Sequence, residues 1–262
     1  MAATYDTLLT ERQGNVLLVT INRPGALNAI NGQVMAELGR LFADDIPGRE
    51  GLRGVIVRGA GEKSFVAGAD IKEFLELTGS QGREMSDKGQ AIFERIESCP
   101  IPVVAAVHGY ALGAGCELAM ACHLRVAGER ARFGQPEVKL GLIPGYGGTQ
   151  RLVELIGRTK ALELLLTADM IDAEEALRLG LVNYVVPAGE ELAKARELIS
   201  RIEDKAPVAV AAVIESVNAF QDHALDGYAA EVHNFGRCAN TEDFREGAAA
   251  FVEKRAAQFT GK

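Results

Sequence analysis

The chain is poor in cysteine, and the few it has are not arranged for chemistry. Cys99, Cys116, Cys122 and Cys238 form no CxxC pair. Four unclustered cysteines in 262 residues make no disulfide framework, so a reducing, cytoplasmic compartment is the expectation. Long hydrophobic runs are missing as well. Residues 101–107 are among the longest, far short of the ~20 apolar residues that a membrane helix needs. The first residues hold neither a basic leader nor an apolar stretch, so no secretory signal is expected. Positive charge is in deficit: the net charge is −8, which argues against nucleic acid as a partner while leaving room for a local basic patch. There is no internal repeat, low-complexity tract or long charge block.

Motif absences narrow the chemistry further. No GxSxG nucleophile elbow, P-loop lysine or HExxH is present. The stretch Gly145-Tyr146-Gly147-Gly148-Thr149 is glycine-rich but lacks such a lysine, and Gly113-x-Gly115 is not followed by the third glycine of a dinucleotide fingerprint. His108, His123, His223 and His233 are scattered. Cys116, Cys122 and His123 lie among apolar neighbours at a spacing that fits no common zinc pattern, so core packing is expected there and no metal.

What is present is ample core material. Hydrophobic residues make up 48% and charged residues 24%, as in an ordinary globular α/β protein or a core with an appendage. Short β-rich runs at 16–21, 54–57, 103–107 and 124–127 alternate with helical spacing at 34–42 and 83–98. In the latter helix Met85, Ile92, Phe93 and Ile96 point inward, and Pro100 and Pro102 follow its end. That alternation favours βαβ units. After about residue 150 helices dominate, with a last strand at 182–186. Helices are expected at 152–155, 161–166, 174–179 and 190–202, from Pro207 onward, at 227–238 and at 242–258. The C-terminal quarter is an all-helical appendage, and its apolar faces, including Phe244, Phe251 and Val252, need something to pack on.

Two acids stand beside glycine bends. Glu117 follows Gly113-Ala114-Gly115-Cys116, and Glu137 follows Phe133-Gly134-Gln135-Pro136. A helix starting near Ala114 leaves its first N–H groups unpaired and favours a negative oxygen there. Glu117, three residues on, shares that face. The segment Phe65-Val66-Ala67-Gly68-Ala69-Asp70 supplies a second bend whose Ala69 amide aims at the same place. Taken singly, each bend is an ordinary strand-to-helix connection, and Glu137 an exposed acid at a helix start. Together, two N–H donors form an oxyanion hole. If the two carboxylates approach, one pKa rises and the pair shares a proton near neutrality, suited to acid and base work.

These four segments, with Gly141-Leu142-Ile143-Pro144 leading into Gly145–Gly148, Thr149, Gln150 and Arg151, resemble the enoyl-CoA hydratase (crotonase) family. The similarity runs nearly end to end, from Asn22-Arg23-Pro24 to Phe251–Arg255. It implies a ββα spiral core, assigned to residues 1–200, and a C-terminal helical trimerisation region at 201–262. It further implies a homotrimer or a hexamer built as a dimer of trimers. By the resemblance, Ala69 and Ala114 hold the thioester oxygen, and Glu117 and Glu137 are the hydratase carboxylates. Coenzyme A, part of the substrate and no separate cofactor, lies near Ala26, Leu27, Ala67, Asp70 and Ile71, with Phe251 and Lys254 reaching it from the C-terminus, often from a neighbouring subunit. Three departures stand out. Ala114 replaces a glycine, Gly25 stands where a basic residue is common, and Tyr146 replaces a smaller residue, either narrowing the acyl pocket or packing on the surface.

The activity so implied is reversible hydration of a trans-2-enoyl-CoA to a 3-hydroxyacyl-CoA, a lyase reaction of fatty-acid or related acyl-CoA metabolism. Alternatives on the same fold are a Δ3,Δ2-enoyl-CoA isomerase and a branched or carboxylated (methylglutaconyl-type) hydratase. A non-enzymatic coenzyme A- or RNA-binding scaffold is the alternative of another class.

Overall fold

A computed structural model describes residues 4–221 and 224–262; residues 1–3, part of the stretch expected to hold no leader, and His223 lie outside the described residues. The chain opens with a hairpin, β1 (Leu8–Gln13) and β2 (Val16–Ile21), whose turn uses Gly14 at φ 62°. Helix α1 (Gly32–Arg40) follows, capped by the Asn31 side chain, which accepts from the Val34 N–H at 3.0 Å. Three successive turns of one pattern come next. The first is β3 (Gly54–Gly59), β4 (Ser64–Val66) and α2 (Gly79–Glu97). The second is β5 (Val103–Val107), β6 (Tyr110–Leu112) and α3 (Ala114–Ala121). The third is β7 (Leu124–Gly128), β8 (Arg132–Gly134), a one-turn 3-10 helix at Glu137–Leu140 and α4 (Gly148–Ile156). Each turn gives one strand to a large sheet and one to a small sheet. The large sheet runs β1-β2-β3-β5-β7-β10 and is parallel from β2 onward; the small one runs β4-β6-β8-β9. Their remaining members are β9 (Met170–Asp172) and β10 (Tyr184–Val186), reached through α5 (Arg158–Thr167) and α6 (Ala173–Leu179).

The apolar runs of the large sheet are explained by burial on both faces. Val55 and Val57 enter the main core with Phe65, Phe93 and Phe133, while Ile56 faces the other way onto Leu198 and Ile199 of α7 (Glu191–Ser200). Gly54 is required for that contact, because a Cβ there would lie 2.5 Å from Ile199. Beyond α7 come α8 (Pro207–Asn218), α9 (Gly227–Ala239) and α10 (Glu242–Glu253), with α8 packed on α9.

The expected strands and helices are present, with revisions at their edges. Helix α2 begins at Gly79, before the expected 83, because Thr78 and Gln81 form a reciprocal capping box despite Gly79 and Gly82. Of the four side chains expected inward on α2, Phe93 and Ile96 are fully buried and Met85 and Ile92 partly so. The last helix stops at Glu253, where Lys254 turns left-handed at φ 54°, short of the expected 258. Strands β1, β4, β6, β8 and β9 were not expected. The three-residue ones hold too few positions to show an alternation, and β1 is mostly polar.

Asn28 fastens the first bends to the sheet. It is fully buried and left-handed at φ 60°, a conformation asparagine tolerates. Its Nδ2 donates to the Ala60 and Ser64 carbonyls at 2.9 Å each, and its Oδ1 accepts from the Arg23 N–H at 3.1 Å. Asn28→Ala leaves the buried Ser64 carbonyl and the half-buried Ala60 and Arg23 groups without this partner and is expected to cost about 2–4 kcal/mol, read from the urea midpoint at constant slope. A loss well under ~1 kcal/mol would show that the bends stand without it.

Candidate active site

The site is assembled where the chain leaves three parallel strands of the small sheet. After β6, Gly113 adopts φ 50° and ψ −123°, and α3 starts at Ala114 with no side-chain cap. Gly115 must be glycine for another reason: a Cβ there would lie 2.0 Å from the Val66 carbonyl oxygen of β4. After β4, Gly68 at φ 117° turns the chain into Ala69. Ile30 donates to the Gly68 carbonyl and accepts from the Asp70 N–H, at 2.8 and 2.7 Å, so a bridge spans Ala69 and leaves its own N–H facing the opposite way. Neither the Ala69 nor the Ala114 N–H donates to another group among the described residues. The two bends lie side by side. A methyl placed on Gly113 would sit 3.8 Å from the Gly68 Cα and 2.6 Å from Oε1 of Glu137.

Glu117 is fully buried one turn into α3. Its Oε1 accepts from the Tyr146 and Gly148 N–H groups, each at 2.7 Å. Burial pushes its pKa from 4.5 up to about 7, and the Glu137 charge adds to the rise; the two N–H donors and the Arg151 guanidinium pull the other way. Because Oε1 is occupied by two donors, Oε2 is the oxygen left to carry the proton. Glu137, at the start of its 3-10 turn, is half-buried, and burial raises its pKa too. The Gln135 amide, with its nitrogen turned toward Glu137, donates to both carboxylate oxygens at 3.1 and 3.2 Å. Two poised carboxyl groups therefore stand against two open main-chain donors. Such an array can take a proton from one atom, give one to another and bind a developing negative oxygen between.

The structure brings together the four residues expected from the sequence, Glu117, Glu137, Ala69 and Ala114. Gln135 and Arg151 were not expected, though both lie inside stretches already singled out. Arg151 is nearly buried, donates to the Tyr146 carbonyl at 2.9 Å and pairs with Glu97 at 2.8 Å, so it braces the turn that feeds Glu117. The five expected coenzyme A residues of the N-terminal half form one edge. The Ala67 N–H donates to the Leu27 carbonyl at 3.1 Å; Ala26, Leu27 and Ile71 are exposed beside it. Asp70 is engaged internally: Arg23 holds its carboxylate at 2.9 Å and lowers its pKa, and its other oxygen caps the Lys72 N–H at 3.4 Å. Phe251 and Lys254 sit exposed at the far end of α10, and no hydrogen bond or ion pair joins them to this edge among the described residues. Of the three departures, the Ala114 methyl goes into the core and Gly25 borders open space. Tyr146 turns inward.

Among known proteins, a family model described as Enoyl-CoA hydratase/isomerase matches residues 11–262. The chain belongs to the enoyl-CoA hydratase/isomerase family. It is 46% identical over 251 residues to a short-chain-enoyl-CoA hydratase of Clostridium acetobutylicum, covering 95% of this chain and 96% of that one. It is 44% identical over 264 residues to a crotonyl-CoA hydratase of Syntrophomonas wolfei, covering 98% and 99%. Its fold matches the crystal structure of an enoyl-CoA hydratase from Bacillus anthracis with a TM-score of 0.91 at 37% identity, covering 98% and 100%. The ββα spiral expected from the resemblance is thus the fold of this enoyl-CoA hydratase/isomerase family member.

The raised pKa of Glu117 has a thermodynamic sign. Folding favours its protonated form, so between 4.5 and about 7 the folded protein keeps a proton that the unfolded chain releases, and stability falls as pH rises through that window. At about 1.36 kcal/mol per pH unit the loss is roughly 3 kcal/mol. Glu117→Gln is neutral throughout. Its stability relative to wild type should therefore climb by that order between about pH 5 and pH 8, as urea midpoints will read. Parallel curves for the two proteins would mean that the carboxyl does not titrate there.

Proposed function

We propose that the protein is an enoyl-CoA hydratase, adding water reversibly to a trans-2-enoyl-CoA to give a 3-hydroxyacyl-CoA. The observation that carries this reading is the pairing of two raised-pKa carboxyls with two undonated amides in one place. The names of the relatives in Clostridium and Syntrophomonas agree with it. In this scheme the thioester oxygen rests between the Ala69 and Ala114 N–H groups, which stabilise the enolate as charge develops. Glu137 and Glu117 position a water, take its proton as the oxygen adds to Cβ, and return a proton to Cα. Coenzyme A lies along Ala26, Leu27, Ala67, Asp70 and Ile71 through main-chain and apolar contact, since the Asp70 carboxylate is already committed to Arg23.

The isomerase alternative needs one essential carboxylate, and here two are held ready. The carboxylated-substrate alternative is disfavoured by the cavity beside Tyr146, which carries Glu73, Glu76 and Glu84 against one lysine, Lys88, itself paired to Glu84 at 2.6 Å. The net charge of −8 weighs against RNA binding as the main role.

We place the boundary of the catalytic core near residue 200 and assign the helices beyond it to trimer or hexamer formation. Phe220, Tyr228, Phe235, Phe251 and Val252 are all more than three-quarters exposed there, an apolar surface that a second copy would cover. A cytoplasmic location fits four free cysteines. Among the described residues, no helix is long and apolar enough to cross a membrane.

Crotonyl-CoA in oxygen-labelled water is the decisive assay. Label should enter the product at Cβ, and Glu117→Gln and Glu137→Gln should each cut turnover by about 10²–10⁴. Product without label would mark an isomerase, and full turnover by either folded variant would remove that carboxyl from the chemistry. Tight RNA binding without turnover of any enoyl-CoA would favour the scaffold. Light scattering should return the mass of a trimer or hexamer, and a monomer at assay concentration would withdraw the role given to the C-terminal helices.

A further inference from the structure

A cavity of about 510 Å³ opens beside the site, between α1, the 73–77 segment and α2. Its apolar wall includes Met35, Leu77, Met85 and Ile92, and Tyr146 also lines it. Tyr146 belongs to both spaces at once. Its main-chain N–H donates to Glu117 Oε1 at 2.7 Å, while its ring lines the cavity. The ring is nearly buried and packs edge-on against Phe93, with centroids 5.6 Å apart and planes at 75°. Room for it exists because residue 89 is glycine: a Cβ on Gly89 would lie 2.1 Å from the ring. Gly89 sits inside α2, where glycine costs about 1 kcal/mol against alanine, so the notch is kept against local helix preference. The cavity is within the ~300–1,000 Å³ of pockets that take small organic ligands and exceeds what a crotonyl group fills.

Resting on the hydratase reading of the site, we infer that Tyr146, seated in the Gly89 notch, determines the acyl chain length this enzyme accepts. Tyr146 is the residue shared by the Glu117 carboxylate and the cavity wall, so on this inference an acyl chain running from Glu117 into the cavity passes its ring. A short, uncharged chain ends before the ring, and a longer chain must displace a side chain wedged between Phe93 and α2. Displacement is costly because the ring fills a close-packed space with few alternatives.

The test is a series of kcat/KM values for crotonyl-, hexenoyl-, octenoyl- and decenoyl-CoA, with calorimetric binding of the unreactive saturated butyryl- to decanoyl-CoA. Wild type should favour the short end. In Tyr146→Ala the decenoyl-to-crotonyl ratio should rise at least about tenfold, the scale on which methylene-sized changes in an apolar pocket discriminate. Tyr146→Phe, which keeps the ring, should leave the ratio within about twofold. Tyr146→Leu, which keeps an apolar group against Phe93, gives the same reading should the alanine variant fail to fold. An unchanged ratio in a folded Ala or Leu variant overturns the inference. If wild type hydrates no enoyl-CoA, the functional reading falls by itself, and the saturated acyl-CoA series still decides whether Tyr146 limits the chain.

Discussion

Everything in the site depends on how one carboxylate, that of Glu117, is held in the dry interior. Burial favours its neutral form more strongly than any other influence, and two main-chain N–H groups at 2.7 Å oppose that. Backbone donors are suited to the task, since a peptide N–H carries no net charge and cannot be lost by ionisation. The turn that presents them is fixed from behind by Arg151, which grips the Tyr146 carbonyl and is itself tied to Glu97. The guanidinium also tempers the rise in pKa from a distance. A single brace thus fixes the turn that feeds the group and adds a small opposing pull to a proton affinity that burial dominates.

Glycine is used around this carboxylate for two separate reasons. Gly113 and Gly68 adopt positive φ and so redirect the chain at the ends of β6 and β4. Gly115, Gly148 and Gly89 are places where something else needs the volume of a side chain: the Val66 carbonyl, the Glu117 carboxylate and the Tyr146 ring. Ala114, between two glycines, meets neither demand, which is why a methyl is accommodated there in the core.

Much of this was legible in the chain. The acids beside glycine bends pointed to proton transfer next to an anion-binding wall, and the parallel strands announced themselves by apolar runs long enough to be buried on both faces. What escaped notice has physical causes. Strands such as β4 and β8 span three residues, too few to carry a periodicity, and they exist because neighbouring turns of the spiral pair them. Arg151 acts through a partner distant in the chain, reaching back to Glu97, and spacing along a sequence holds no record of such a pair. Gln135 is only two residues from the Glu137 it serves, but the direction of its amide is set by the fold. The orientation of Tyr146 was undecided for the same reason, because the space it fills is made by an absent side chain on another helix.

The pairing of the small sheet has a metric consequence. Ala69 follows β4 and Ala114 follows β6, and these strands are parallel neighbours. Adjacent strands lie about 4.8 Å apart, a separation set by the hydrogen bonds between them. The two bends that carry the proposed oxygen cradle therefore start from strand ends held at that spacing. Side chains that line the acyl path, such as Tyr146, take no part in that pairing, so they can change without altering the spacing.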